Sequence, residues 1–540
     1  MKNKLLMTSM STIIGLYGVA FLFLLLVFQV FKLDVQYLLF YSILFLILQF
    51  LLAPYITDWV MKVLYKADFK AEMPEFLKTF VTEVCNEHHM KYPKIGYIND
   101  GAPNAFTYGR TKNDARIVLT RGIFDLLTPD EVKAVMAHEL GHAIHYDMFF
   151  MTVAQIIPLV LRWVYEVTLR AASRSRDNKG AAMIGAVAYI LHIIAQYVVL
   201  WFSRTREYYA DEFAVEKTKN PFALSNALVK IGYGLAAHKE EPQSEIPQGK
   251  EKPVKKVDIS SVSALGIFDS KTSKTLIASS FNDGKLELNG IKKAARWELW
   301  NPWATWYELH STHPRISKRL KAISKMADTY GQTPYISFDE HPPESYFDDF
   351  IIEILIHFLP TVVVISCLFL FLAPDIHIYS ILGVGALLLA FAHFFQLQRA
   401  YKNRDYIETK VADLLGEVKV SKVTSIPCIL KGRFIGRGTP GYIFSEDFVI
   451  QDETGIMFID YKQPLSIMNF IFGAFKAKQY INKDVVVKGW YKRAPIPYLE
   501  LYKMQVDNEE KTCYTYGYKK LMIGLLLVIS VVLLMLGFGI

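Results

Sequence analysis

The chain has 540 residues, 52% of them hydrophobic, with a mean hydropathy of +0.21, a balance that excludes an ordinary soluble globular domain and points to segments in a bilayer. Its formal charge of +8 is no nucleic-acid signal, because lysine and arginine also collect on the cytoplasmic flanks of membrane segments. Four scattered cysteines, Cys85, Cys367, Cys428 and Cys513, form no C-x-x-C pair and suggest neither a disulfide framework nor a thiolate metal site.

Residues 5–31 carry no charge and follow Lys2 and Lys4. That run is too long for a signal-peptide core and reads as a retained signal anchor. Residues 35–57 are a second uncharged run, so 1–57 reads as two transmembrane helices. Lys62, Lys66 and Lys70 then place the N-terminus and the next domain in the cytoplasm.

Residues 58–147 read as a folded domain outside the bilayer. PKIGYIND at 93–100 and ARIVLTRGIFDLL at 115–127 read as extended segments separated by APNAFTYGR. An edge strand beside a catalytic site would hold a peptide through main-chain hydrogen bonds, selecting extended shape more than side chains. Asn104 is the polar residue there, either an ordinary turn asparagine or a group facing such a peptide.

TPDEVKAVMAHELGHAIHYD, at 128–147, opens a helix. Thr128 is a capping residue, Pro129 suits the first helical position, and Glu131 completes a capping box. Val132, Val135, Met136, Leu140 and Ile144 recur at helical spacing, and 3.6 residues per turn stacks His142 over His138. Two imidazoles on one face suit zinc, and Glu139 beside the first can take a proton from a water on that ion.

A hydrophobic helical hairpin is expected over 148–203, broken by Pro158, Arg162 and Glu166. If it spans, its basic connection RAASRSRDNK lies outside, against the positive-inside tendency. Next comes RTREYYAD, in which Glu207 and Asp211 are one helical turn apart on one face. A catalytic zinc takes three protein ligands, and Glu207 is the carboxylate nominated as the third, with Asp211 as an acceptor orienting a liganding histidine; a solvated charged face beside the membrane is the alternative. Met148 stands where a metzincin carries its third histidine, and His145 reads as an ordinary polar residue. At 1.5 Å per residue each ligand lies roughly 10 Å from the membrane end of its helix, which puts the reacting water at the membrane surface.

PNAFTYG, HELGH, SRTREYYAD and the segment Ser311-Thr312-His313-Pro314 followed by Arg319 occur in that order. Together they resemble the membrane zinc metallopeptidase family that contains the HtpX heat-shock protease and the eukaryotic CAAX prenyl protease, over about residues 1–325. The resemblance implies an α-helical integral membrane protein with a zincin-type α+β metallopeptidase domain. It implies one Zn2+ per chain on His138, His142 and Glu207, with Glu139 as general base. By the same resemblance His313 and Arg319 contact the substrate carbonyl or stabilise the oxyanion, and Asn104 lies on the substrate-binding strand. Arg315 in place of a second proline, and FTYG in place of FATG, are departures that bear on substrate subsites more than on the metal.

The rest of the peptidase is expected over 204–325, with a charged, proline-containing flexible insertion at 238–260. The tryptophans of RWELWNPWATW either pack on the peptidase or sit at the membrane interface. Two further spans fall within 350–398 and contain His357, Pro360 and His393. From 399 to 520 five strands and one amphipathic helix suggest a small β-barrel domain of OB-like type. Trp490, Tyr491, Lys492 and Arg493 could face nucleic acid, but the basic excess is too mild, so no nucleic acid is expected and a structural or protein-interaction role is preferred. Residues 521–540 form the seventh span.

The reading is a zinc metalloendopeptidase, multi-pass in a prokaryotic cell membrane with its site facing the cytoplasm. Its partners are the lipid bilayer and polypeptide substrates, membrane proteins above all, in quality control. Processing of prenylated peptides is the alternative within the same chemistry. A membrane-tethered binding module on a non-catalytic peptidase scaffold is the alternative from another class.

Overall fold

The computed structural model describes residues 35–174, 179–237, 281–282, 285–286, 288–339, 341–371, 377–402, 405–437, 446–494, 496–507 and 509–538. The expected first span at 5–31 and the insertion at 238–260 lie outside the described residues. The chain divides into two units: one takes in Met1–His238 and Glu308–Ser337, the other Lys274–Tyr307 and Phe338–Ile540.

In the first unit, helix α1 (Val35–Val63) carries the second apolar run, and α2 (Glu75–Glu87) follows it. Strands β1 (Lys94–Ile98), β2 (Ala105–Gly109) and β3 (Ala115–Thr120) form a sheet of order β1-β3-β2, parallel between β1 and β3 and antiparallel between β3 and β2. The central strand ARIVLT is buried along its whole length, as a strand covered on both faces must be. Two expectations change here. AFTYG, read as part of a separator, is the edge strand β2, with Phe106 and Tyr108 packed in one cluster with Val118 and Met61. The 115–127 segment stays extended only to Thr120 and then forms helix α3 (Arg121–Leu126), where Gly122 packs so tightly on Gly101 that a Cβ would lie 2.1 Å from its carbonyl oxygen.

Helix α4 (Pro129–Ile144) starts with the expected capping box, Glu131 Oε2 accepting the Thr128 N–H at 2.9 Å. Helices α5 (Asp147–Arg174) and α6 (Lys179–Thr218) pack together through Ala154, Ile157, Leu161, Ala188, Ala195 and Phe202. The boundary expected at 203/204 does not interrupt α6, which runs 40 residues from the apolar stretch through Glu207. Helix α7 (Pro221–Ala237) follows; α8 (Leu288–Trp300) and most of α9 (Pro302–Leu309) belong to the other unit, and the chain returns in α10 (Ile316–Ala327).

Within the second unit the tryptophan segment has two kinds of neighbour: Trp297 packs on the barrel's elements, while Trp303 and Trp306 meet Phe350, His357 and Phe358 of the apolar helix Phe347–Leu370. The Trp297 indole donates to the Val420 carbonyl at 2.7 Å, Asn301 donates to the Val418 carbonyl at 2.7 Å, and the Arg493 guanidinium covers the Trp297 ring at 4.6 Å. By Cα packing, residues 288–307 of the peptidase segment expected over 204–325 group with the second unit. Also in this unit are α11 (Phe347–Leu370) and α12 (Ile378–Ala400).

Next come β4 (Ile426–Arg437), β5 (Phe448–Gln451), β6 (Ile456–Asp460), α13 (Ser466–Phe475), β7 (Asp484–Arg493), β8 (Pro497–Val506) and α14 (Thr515–Phe538). The five strands close a barrel in the order β4-β5-β6-β8-β7-β4, with β6 and β8 parallel and every other pair antiparallel. Trp490, Tyr491, Lys492 and Arg493 are buried in it, Lys492 paired to Glu500 at 2.5 Å, so they present no nucleic-acid surface. Among the described residues five helices, α5, α6, α11, α12 and α14, are long and apolar enough to cross a membrane.

Candidate metal centre and active site

Helix α4 supplies both histidines and α6 the carboxylate. The helices approach closely at Gly141, where a Cβ would meet Phe213 at 3.2 Å and the Ala210 backbone at 3.3 Å. The two imidazoles stand edge to face with centroids 4.7 Å apart, and their Nε2 atoms are separated by 3.1 Å. Glu207 places Oε2 3.6 Å from His138 Nε2 and Oε1 3.6 Å from His142 Nε2. Donors about 2.1 Å from a tetrahedral ion lie about 3.4 Å from one another, so the trio fits a cation of zinc's size with no rearrangement of its elements. One ligand atom from each of the three lies within 4.8 Å of the others.

Each imidazole is oriented from behind. His138 Nδ1 faces Asp211 Oδ1 at 3.0 Å, and His142 Nδ1 faces Asp147 Oδ2 at 2.6 Å, which leaves both Nε2 atoms for an ion. Asp211 is a residue singled out from the sequence, and Asp147 is not. Its pair with Arg206, whose guanidinium lies 4.9 Å from the Phe202 ring, fixes it to α6. Arg319, expected at the substrate carbonyl, is instead fully buried: Nε and Nη2 grip Asp211 at 2.8 and 2.6 Å, and Nη1 is 3.3 Å from Glu207. Its guanidinium thus meets the Asp211 and Glu207 carboxylates.

That space is a cavity of about 420 Å³ whose lining includes Glu139, His142, Glu207, His313 and Thr107. His313, just before α10, holds Nε2 3.5 Å from Glu207 Oε1 while Nδ1 is 2.9 Å from the Thr312 hydroxyl. Glu139 is buried beside the trio, and Thr107 of edge strand β2 donates its hydroxyl to Glu139 Oε2 at 2.6 Å. Asn104 lies one residue before β2, its backbone tied to Thr120 at 2.7 and 3.0 Å, and it does not line the cavity. Thr107, two residues into β2, lines it.

Burial pushes the Glu139 carboxyl up to about 7, with the Glu207 charge adding to the effect while His138, Thr107 and Arg319 oppose it. For His138, burial disfavours the cation, but the Asp211 and Glu207 carboxylates outweigh it and raise the pKa to about 9. His142 is driven down to about 3, first by burial and then by the charge on His138. The Asp211 and Glu207 carboxylates thus favour positive charge at His138, whereas burial keeps His142 neutral, the form in which an imidazole can hold a metal ion.

Residues 74–327, from the cap of α2 to the last residue of α10, match Peptidase family M48. The Protease HtpX homolog of Methanothermobacter thermautotrophicus is 39% identical over 196 residues, 36% of this chain and 73% of that relative. The Protease HtpX homolog of Aeropyrum pernix is 29% identical over 292 residues, 53% of this chain and 84% of that relative. A crystal structure of S. mikatae Ste24p aligns at 18% identity with a TM-score of 0.34, covering 59% of this chain and 66% of that one. The barrel lies beyond the matched residues. By its match to relatives named as proteases, over most of their length and through the elements that build this centre, the chain belongs to peptidase family M48.

Proposed function

We propose that the protein is a zinc-dependent endopeptidase that cleaves extended polypeptides at the membrane surface. The observation that carries this is the attachment of an edge strand to a buried carboxyl beside three metal-spaced donors, through the 2.6 Å bond from Thr107 to Glu139. His138, His142 and Glu207 would hold the ion. When bound, zinc lowers the pKa of an attacking water and polarises the scissile carbonyl. A substrate strand added to β2 presents its carbonyl to the cavity, bound through its main chain. Glu139 takes the proton of the water and returns it to the leaving amine. His313, which also lines the cavity, donates to the oxygen on which charge develops. Arg319 and Asp211 keep Glu207 and His138 in place.

The active-site helix beside an edge strand supports the zincin-type description. The barrel's strand order, with α13 between its third and fourth strands and a parallel third–fifth pair, supports an OB-type description. Lys62 in the last turn of α1 and Lys66 just after it support a cytoplasmic site. Selection by extended shape close to the bilayer suits unfolded membrane proteins, and quality control is the task we assign.

The test compares casein cleavage and bound metal for the wild type and Glu139→Gln, both purified in detergent with zinc. Loss of hydrolysis by about 10² or more with metal retained is expected, since the substitution removes the base and no ligand. Equal cleavage by the two proteins would reject Glu139 as the base.

A further inference from the structure

We propose that α13 is an interfacial helix that seats the barrel on the lipid surface. Its ten residues extend about 15 Å, half of a hydrocarbon core of about 30 Å, so it lies along a bilayer and does not cross it. Leu465, Ile467, Met468, Phe470, Ile471 and Phe475 are between 44% and 80% exposed, a density of large apolar groups that water does not favour. The opposite face is pinned to the barrel: Phe472 is buried and stacks on Tyr461 with centroids 3.9 Å apart and planes 10° from parallel. The outward side chains therefore cannot turn in.

What covers this face follows from where the chain enters the membrane. The residues just before α13 are bonded to the residues that begin the membrane-crossing helix α14. The Thr515 hydroxyl donates to the Lys462 carbonyl at 2.6 Å, the Tyr514 N–H donates to Gln463 Oε1 at 3.1 Å, and Gln463 Nε2 donates to the Thr512 carbonyl at 3.0 Å. Two residues separate Gln463 from the first residue of α13, so the apolar face lies at the depth where α14 leaves the polar phase. Exposed Lys462, Lys476 and Lys478 bracket it and complement anionic headgroups. With α12 leading in and α14 leading out, the barrel has a third membrane contact, made by a helix inserted between two of its strands.

The full chain, carrying a benzophenone side chain in place of Phe475 or, separately, Phe470, is reconstituted in vesicles of phosphatidylcholine and phosphatidylglycerol and irradiated. Adducts are assigned by peptide mass spectrometry, with the same label at Lys431 on β4 and at Leu525 on α14 as references. Lipid adducts at 475 and 470 should approach the yield at 525 and exceed that at 431 by about tenfold. Yields no higher than at 431 overturn the proposal, and adducts to a second copy of the chain overturn it in favour of a protein interface.

Discussion

Arg319 has no surface exposed, and both oxygens of Asp211 depend on it. Removing its charge in Arg319→Met leaves two buried carboxylates uncompensated, an effect on the order of 3–5 kcal/mol. Metal affinity and the thermal midpoint should therefore fall together, and Arg319→Lys should restore only part of both, lacking the two-pronged grip. Intact metal affinity with a lowered kcat alone would return Arg319 to the substrate. A second residue-scale effect sits in the barrel. Asp447, which accepts the Tyr461 N–H at 3.1 Å, is pushed up to about 7 by burial and then by the Asp460 and Glu446 charges, and burial raises Asp460 to about 6. An acid whose folded pKa exceeds the unfolded value of about 3.9 binds its proton more tightly in the fold, so the barrel gains stability as pH falls from about 7 towards 4 and loses it as pH rises through the folded values. Hydrogen exchange of β5 and β6 amides, corrected for intrinsic rates, should slow across that interval, and Asp447→Asn should flatten the dependence. Residues of this kind divide by how their contacts arise. His138, His142, Glu207 and Asp211 were legible because one helical turn separates each pair in sequence. Thr107 meets Glu139 across 32 positions, and Arg206, next to Glu207, turns instead to Asp147. Local spacing cannot show contacts made by the fold.

At the scale of elements, the contact of α4 with α6 decides whether donors on two helices share a point. Gly141 is the residue that allows it, with Phe213 and the Ala210 backbone already at the limit a Cβ would tolerate. A branched side chain has no room there, so Gly141→Val should force the helices apart at an overpacking cost of about 1–3 kcal/mol. The distance from Glu207 to the histidines would grow, and zinc retention against a chelator should fall more steeply than helix content measured by circular dichroism. Zinc retention equal to wild type would mean that the approach is set elsewhere. The same scale explains two misread segments. Pro103 and Asn104 look like turn residues and hid the strand that starts at Ala105, whose alternation is only five residues long. Helix α6 was divided because its composition changes at Ser203, yet backbone hydrogen bonding continues through a change from apolar to charged residues.

For the molecule as a whole, chain order and packing order disagree at 288–307, which precedes His313 and Arg319 in sequence but groups with the unit that holds the barrel. A deletion that begins at residue 399, the natural way to ask whether the barrel is accessory, removes Val420 and Arg493 from Trp297 and the Arg493 guanidinium from the Ala294 carbonyl. A buried tryptophan hides on the order of 200 Å² of apolar surface, worth about 5 kcal/mol, and the deletion returns it to water. A chain ending at 398 should therefore aggregate in detergent and be cut by protease within α8 and α9, whatever the barrel does for catalysis. Trp297→Ala in the full chain supplies the control. It should lower the thermal midpoint and leave zinc content unchanged, because the three donors lie on α4 and α6. A truncated chain that stays monodisperse and resists protease in α8 would show that this segment does not depend on the barrel. If it fails as expected, the barrel's part in proteolysis has to be read from surface substitutions, and a loss of activity on truncation says nothing about catalysis.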